Sequence, residues 1–238
     1  MDYELQKIIE TRKSIRVYDN RPLSNQDLSL IKEYIAKLEK EDTPFPSEMK
    51  IHLVEAKKGT NVEKLGTYGI IKGTKTFLCI TSENKDEAME SIGYNFEKLV
   101  LYLTSIGIGT CWLAGTFNRE QFLNSVPMKN GEIFPIVCPI GYPLDKNTFL
   151  GSIFRIVSKS NQRKNWEELF FENDFSTPLT KQKAGPYAYP LEMLRLAPSA
   201  ANKQPWRVVY KNNYFHFYRL GNPKSKYPYD LQRLDVGI

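Results

Sequence analysis

The chain has 238 residues and a mass of 27.6 kDa, with 41% hydrophobic, 13% aromatic and 25% charged residues, which excludes a disordered or collagen-like chain and leaves one large domain or two small ones. Lys and Arg number 33 against 27 Asp and Glu, a net charge of +6; this mildly favours an anionic ligand, but the excess is spread along the chain, which argues against nucleic acid. No apolar run approaches the roughly 20 residues of a membrane-spanning helix, and the start, Met1-Asp2-Tyr3-Glu4-Leu5-Gln6-Lys7, lacks the basic-then-apolar layout of a secretory signal, so a cytoplasmic protein with no membrane partner is expected.

Asp2 to Thr11 reads as a short helix. A second follows Ser24, whose hydroxyl can cap the first free amides, and Leu28, Ile31, Ile35 and Leu38 form its buried stripe at helical spacing. Lys50 to Glu55 reads as a strand. Residues 57–75, rich in Gly, Lys and Thr, lead to a second strand from Thr76 to Thr81, whose continuous run Phe77-Leu78-Cys79-Ile80 predicts burial on both faces. A long helix is expected from about Asp86 to Ser105, with Ile92, Phe96, Leu99, Val100 and Leu103 on one apolar face and a stop at Gly107 in the left-handed conformation. Pro135 to Ile140 reads as another buried strand, closed by Gly141-Tyr142-Pro143. The polar run Ser158 to Lys164 marks a boundary. Beyond it the sequence predicts a helix around Asn165 to Phe171, a Pro/Gly-rich stretch to Pro190, a helix from Leu191 to Leu196, and a hairpin. The hairpin joins Arg207–Tyr210 to Tyr214–Leu220 across Lys211-Asn212-Asn213, where asparagines tolerate positive φ.

Cys79, Cys111 and Cys138 are odd in number, about thirty residues apart and without a C-x-x-C, so neither a disulfide framework nor a zinc site is supported. His52 and His216 sit in strand-like alternations and read as packed or surface strand residues. A faint internal repeat is present: helix, Arg16–Ser24, helix and strand recur as the segment at Trp166, Phe171–Thr180, helix and strand, and Ser91-Ile92-Gly93-Tyr94 is echoed by Asp235-Val236-Gly237-Ile238. On this alignment residue 238 falls where a second long helix should begin, so the second half is shortened or the chain continues.

Three segments can carry chemistry. In Arg12-Lys13-Ser14-Ile15-Arg16, positions four apart co-project in a helix or an extended segment, and two converging guanidiniums with a hydroxyl suit a phosphate; the plain alternative is a solvated helix end. Gly107-Ile108-Gly109-Thr110-Cys111-Trp112-Leu113-Ala114-Gly115 lets a backbone approach a flat ligand. It follows a helix and breaks the G-x-G-x-x-G spacing, so it is no dinucleotide fingerprint, and it could be a helix stop with tight packing. Cys111 has no basic neighbour in sequence and reads as buried. In Ala197-Pro198-Ser199-Ala200-Ala201-Asn202-Lys203-Gln204-Pro205-Trp206, two prolines stiffen a loop carrying Ser199, Asn202 and Gln204, neutral donors and acceptors suited to the edge of a heterocyclic ring; the alternative is a loop capped by its own side chains.

Together, Arg12-x-Ser14-x-Arg16, Gly107-x-Gly109-Thr110-Cys111-Trp112, Gly141-Tyr142-Pro143 and Ala197-Pro198-Ser199-x-x-Asn202-x-Gln204-Pro205-Trp206 resemble the signature segments of the FMN-dependent nitroreductase superfamily. In ordinary members the Pro-Ser-Asn-Gln-Pro-Trp loop follows the arginine segment by a few dozen residues. Here it lies in the second half, and its first-half counterpart, Thr43-Pro44-Phe45-Pro46-Ser47-Glu48-Met49, has no Asn, Gln or Trp. That displacement resembles the TM nitroreductase branch.

The resemblance implies an α+β, three-layer fold with a central, mostly antiparallel sheet flanked by helices. It also implies an internal duplication, residues 1–160 forming the first half and 161–238 a shortened second, so that one chain replaces the usual dimer. The implied activity is FMN-dependent transfer of hydride from NAD(P)H to a nitro, quinone or other small electron-poor acceptor, the alternative being a flavin-binding protein of the same fold without turnover. Arg12, Lys13, Ser14 and Arg16, with Arg163, would hold the phosphate and pyrimidine side of FMN. Trp112, Leu113, Ala114 and Gly115 would line the ring through their backbone, and Pro198, Ser199 and Asn202 would approach from the other half. The family chemistry needs no side-chain acid, nucleophile or metal. One FMN per chain is expected, in a monomer, with a homodimer as the alternative.

Overall fold

The computed structural model of the chain describes residues 3–41, 43–45, 47–55, 67–144, 162–221 and 230–238. Asp2, residues 57–66 of the 57–75 connection and the boundary up to Asn161 lie outside the described residues. Helix α1 spans Tyr3–Thr11 and α2 spans Asn25–Leu38. The hydroxyl of Ser24 accepts the Asp27 amide at 3.0 Å, the expected cap, and Ile31, Ile35 and Leu38 are buried as the stripe requires. Strands β1 (Met49–Glu55) and β2 (Thr76–Glu83) precede the long helix α3 (Ala88–Ser105). Gly107 ends α3 at φ 78°, with Ile108 N–H donating to Leu103 O at 2.8 Å, the wrap that a left-handed glycine permits.

Strand β3 (Gly109–Thr110), the short helix α4 (Arg119–Leu123) and β4 (Glu132–Gly141) complete the first part. The strands order as β1-β2-β4-β3, all antiparallel, with Ile51 opposite Ile80, Leu78 opposite Cys138 and Thr110 opposite Ile140. β2 and β4 are buried almost throughout, as their unbroken apolar runs predict. Leu78, Ile80, Ile136 and Cys138 face α2 and α3, while Phe77, Cys79, Phe134 and Val137 pack with Phe117 and Phe122. Burial raises all three cysteine thiols, Cys79 and Cys138 well above the usual thiol range, so they are inert packing groups. His52 lies half-buried in β1 with Nε2 2.9 Å from Thr81 Oγ1.

In the second part the structure departs from one expectation. Asn165–Phe171 is not a helix: Trp166–Glu168 form a single 3-10 turn, and Phe170–Glu172 form strand β5, which pairs parallel to β6 with Phe170 opposite Val208. A capping box between Asn165 and Glu168 closes the turn, and two adjacent phenylalanines favour a strand over helix continuation. Helices α5 (Lys181–Ala184) and α6 (Ala188–Leu196) follow, then β6 (Trp206–Lys211) and β7 (Tyr214–Arg219). Asn212 and Asn213 turn the hairpin at φ 52° and 64°, as the asparagine pair predicts, and His216 is an exposed β7 residue. These strands make a separate sheet, β5-β6-β7, with its own core of Trp166, Phe170, Leu179, Leu191, Trp206 and Val208.

The two parts meet through α7 (Leu234–Gly237), which packs on α3. A Cβ on Gly93 would lie 2.3 Å from Leu234 O and 3.0 Å from Gly237 Cα, and a Cβ on Gly237 would lie 2.2 Å from Glu90 O. The two segments that echo each other in sequence therefore touch backbone to backbone.

Candidate functional site

Residues 12–18 leave α1 as an extended strap along the β3 edge. Ser14 bridges Thr110, Ile15 N–H donates to Thr110 O at 2.8 Å, and the buried Tyr18 hydroxyl donates to Ile15 O and Pro139 O at 2.7 and 2.9 Å. In this extended backbone Arg12, Ser14 and Arg16 share a face, and that face opens on two cavities with a common wall. One, of about 370 Å³, is lined by Arg12, Lys13, Ser14, Arg16, Arg163 and Asn202. The other, of about 420 Å³, is lined by Trp112, Leu113, Ala114 and Gly115 on one side and by Leu231, Leu234, Asp235 and Ile238 on the other. Ser14, Arg16, Pro198, Ser199 and Ala201 border both. The twelve residues that the resemblance assigns to FMN thus stand around this double cavity, whereas Gln204 does not.

The two ends differ in chemistry. Among the described residues lining the smaller cavity are four cations and one acid, Glu10, and Arg163 is held below the usual guanidinium range by burial and by the positive charges of Arg12 and Arg195. Crowded, desolvated cations of this kind suit an anion. The larger cavity is mainly apolar, with Asp235 as its buried carboxylate. Burial raises Asp235 to about 7, against the Ala200 amide and Lys203.

The Pro198–Pro205 loop is held from within. Asp235 accepts Ala200 N–H with both oxygens, at 3.0 and 3.3 Å; Ser199 Oγ accepts Gln204 N–H at 2.8 Å; Gln204 Oε1 accepts Lys164 N–H at 2.8 Å. Gln204 is 3% exposed and fixes the loop, away from both cavities. Asn202 lines only the cationic end, where its Oδ1 accepts Arg163 Nη1–H at 3.0 Å and its Nδ2 donates to Gln162 O at 2.7 Å. Leu113 lines the apolar end while its N–H donates to Val137 O at 2.9 Å and its C=O accepts Val137 N–H at 3.0 Å. Ala201, Asn202 and Gln204 have φ of 51°, 55° and 48°, strain that collects at ligand-contacting loops. Ala201→Gly is expected to raise stability by about 0.5–1 kcal/mol by relieving one such position, read as a higher denaturant midpoint with an unchanged slope; a lower midpoint would contradict it.

Two site residues went unnoticed in the sequence. Glu97 sits on α3, 6% exposed, its Oε2 accepting Trp112 Nε1–H at 2.9 Å and its Oε1 3.7 Å from Arg12 Nε. A carboxylate between Phe96 and Val100 on an apolar helix face was the available signal. Asp235 had a fainter one, as the residue matching Ser91 in the repeat.

With that geometry in place, comparison with known proteins is informative. The family described as "Putative TM nitroreductase" matches residues 4–238. The chain belongs to this family. A curated relative in Archaeoglobus fulgidus, "Putative NADH dehydrogenase/NAD(P)H nitroreductase", is 25% identical over 179 residues, covering 68% of this chain and 99% of its own length. A crystal structure of "a putative nitroreductase" from Thermotoga maritima superposes with a TM-score of 0.59 at 18% identity, covering 98% of this chain and 78% of that one. A nitroreductase from Bacteroides fragilis, solved with bound FMN, has a TM-score of 0.50 at 19% identity over 62% of this chain and 92% of its own. These likenesses establish an α+β nitroreductase fold. No helix among the described residues is long and apolar enough to cross a membrane.

Proposed function

We propose that this member of the family is an FMN-dependent oxidoreductase that takes hydride from NAD(P)H and reduces a small electron-poor acceptor such as a nitro compound or quinone. The observation that carries the reading is the cationic cavity sharing a wall with an apolar one, which matches a ligand with an anionic tail and a flat ring. In this reading Arg12, Lys13, Arg16 and Arg163 hold the phosphate, with Ser14 at the junction. Trp112, Leu113, Ala114 and Gly115 form one wall of the ring site, and Pro198 and Ser199 the other. Bound FMN would supply the hydride-accepting and hydride-donating centre. The chain's own task is to bind and orient that group and to exclude water with its apolar walls, and no side-chain acid or nucleophile is assigned.

In the same reading the chain is an internal duplication, residues 1–160 and 161–238, building one site between its halves as a monomer. Its support is the mutual packing of Gly93 and Gly237: equivalent positions that touch each other lie on a twofold axis. One FMN per chain is expected, and two would refute the shared site.

The test is the absorption spectrum of purified, FMN-supplemented protein before and after anaerobic NADH or NADPH. Bleaching of the flavin bands, with steady turnover on a quinone, is expected. Bound flavin that NAD(P)H cannot bleach would leave a binding protein, and failure to take up FMN would overturn the proposal. Arg16→Ala is expected to weaken FMN binding about tenfold or more, the value of a lost charge-assisted contact, with little change in the thermal midpoint; unchanged affinity would remove Arg16 from the site.

A further inference from the structure

Glu97 lines neither cavity, yet it touches the side chains that define both. Its carboxylate lies 3.7 Å from Arg12 at the cationic end and 2.9 Å from the Trp112 indole at the apolar end, and the Arg12 and Glu97 side chains are 7% and 8% exposed. A buried guanidinium needs a counter-charge, and a buried carboxylate is tolerated only with partners. An anion entering beside Arg12 would supply a second negative charge to the same cation. We propose that Glu97 is the resident counter-charge of Arg12 and yields that role to an incoming phosphate, so that the anion and a proton bind together. The inference rests on the FMN reading above.

Among the described residues, the groups facing Glu97 are few. Arg12 comes from the end of α1, Trp112 from the segment after β3, and the Cys138 thiol from β4. The other charges where α3 meets its neighbours are engaged elsewhere: Lys98 with Glu41 beyond α2, and Glu90 with Arg233 ahead of α7. Burial outweighs Arg12 and Trp112 and lifts Glu97 to about 7. Near neutrality the carboxyl is therefore balanced between its two forms. A phosphate placed beside Arg12 repels the ionised form and raises its proton affinity further, so phosphate binding takes up a proton and weakens as pH rises through about 7.

The test compares wild type with Glu97→Gln, which keeps an oxygen to accept the Trp112 N–H but carries no charge. Dissociation constants for FMN and for riboflavin, which lacks the phosphate, are measured at pH 6 and pH 8. The variant cancels the titration of the FMN phosphate itself, because both proteins meet the same ligand. The two proteins are expected to bind FMN alike at pH 6, and the variant about fivefold more tightly at pH 8, as a carboxyl displaced one unit upward from about 7 requires. Riboflavin should bind both alike at both pH values. Equal FMN affinities at pH 8, or weaker binding by the variant, would overturn the proposal. A change shared by riboflavin would show a merely structural Glu97. Failure of wild type to bind FMN at either pH would instead reject the flavin reading and this role with it.

Discussion

Gly93→Ala is expected to lower the thermal midpoint by roughly 4–8 °C, although alanine in a helix interior ordinarily adds about 1 kcal/mol of stability. The reversal comes from what the new methyl meets. It would sit 2.3 Å from Leu234 O and 3.0 Å from Gly237 Cα, and both obstacles are backbone, so no rotamer change clears it. Overpacking of this kind costs about 1–3 kcal/mol and sometimes more, and here it must push α7 away from α3. Leu231, Leu234, Asp235 and Ile238 move with α7 and wall the apolar cavity, so ligand affinity should fall with stability. Gly237→Ala meets Glu90 O at 2.2 Å and should reproduce both effects. Thermal melts of the two variants test the contact directly, and an unchanged or raised midpoint would show that the helices do not meet as described.

Much of the first part is legible because its signals are local and consistent with one another. The Ser24 cap, the α2 stripe, the unbroken apolar runs of β2 and β4 and the Gly107 stop each have one physical reading, and the structure follows them. The second part is harder for a reason visible at Trp166. Its apolar residues suit a helix or a strand equally over so short a stretch, and the choice is made by Val208, far along the chain, which pairs with Phe170. The cavity residues were legible as types in motifs, since guanidiniums and stiffened loops advertise themselves in sequence. Their support was not. Gln204 looks like a ligand contact but is buried as a brace, and Asp235 looks like a surface acid but is 5% exposed and holds the Ala200 amide. Only tertiary contacts separate a polar residue that meets a ligand from one that holds the loop in place.

Those buried acids also set how the fold responds to pH, and the ligand-free protein is expected to be more stable at pH 5.5 than at pH 8. Glu97 and Asp235 are both raised to about 7, burial being the largest cause in each. Between their ordinary values near 4 and this raised value the folded chain holds protons that the unfolded chain has released. Stability therefore falls as pH climbs through that window, by up to about 4 kcal/mol for each group, and levels off above 7. Opposing groups act lower. Asp19, Asp27, Glu41 and Asp174 are held below the usual carboxylate range, mainly by hydrogen bonds to Arg21, Tyr142, Lys98 and Ser176 respectively, so their contribution is lost only as pH drops below about 4. Optimum stability should accordingly fall between about pH 4 and 5. Thermal midpoints across pH 4–9 measure this, and the Glu97→Gln, Asp235→Asn double variant should lose the fall between pH 5.5 and 8, keeping only the small rise from His52, whose burial lowers its pKa. A wild-type midpoint equal or higher at pH 8 would mean that these carboxyls ionise normally and are not enclosed as the structure has them.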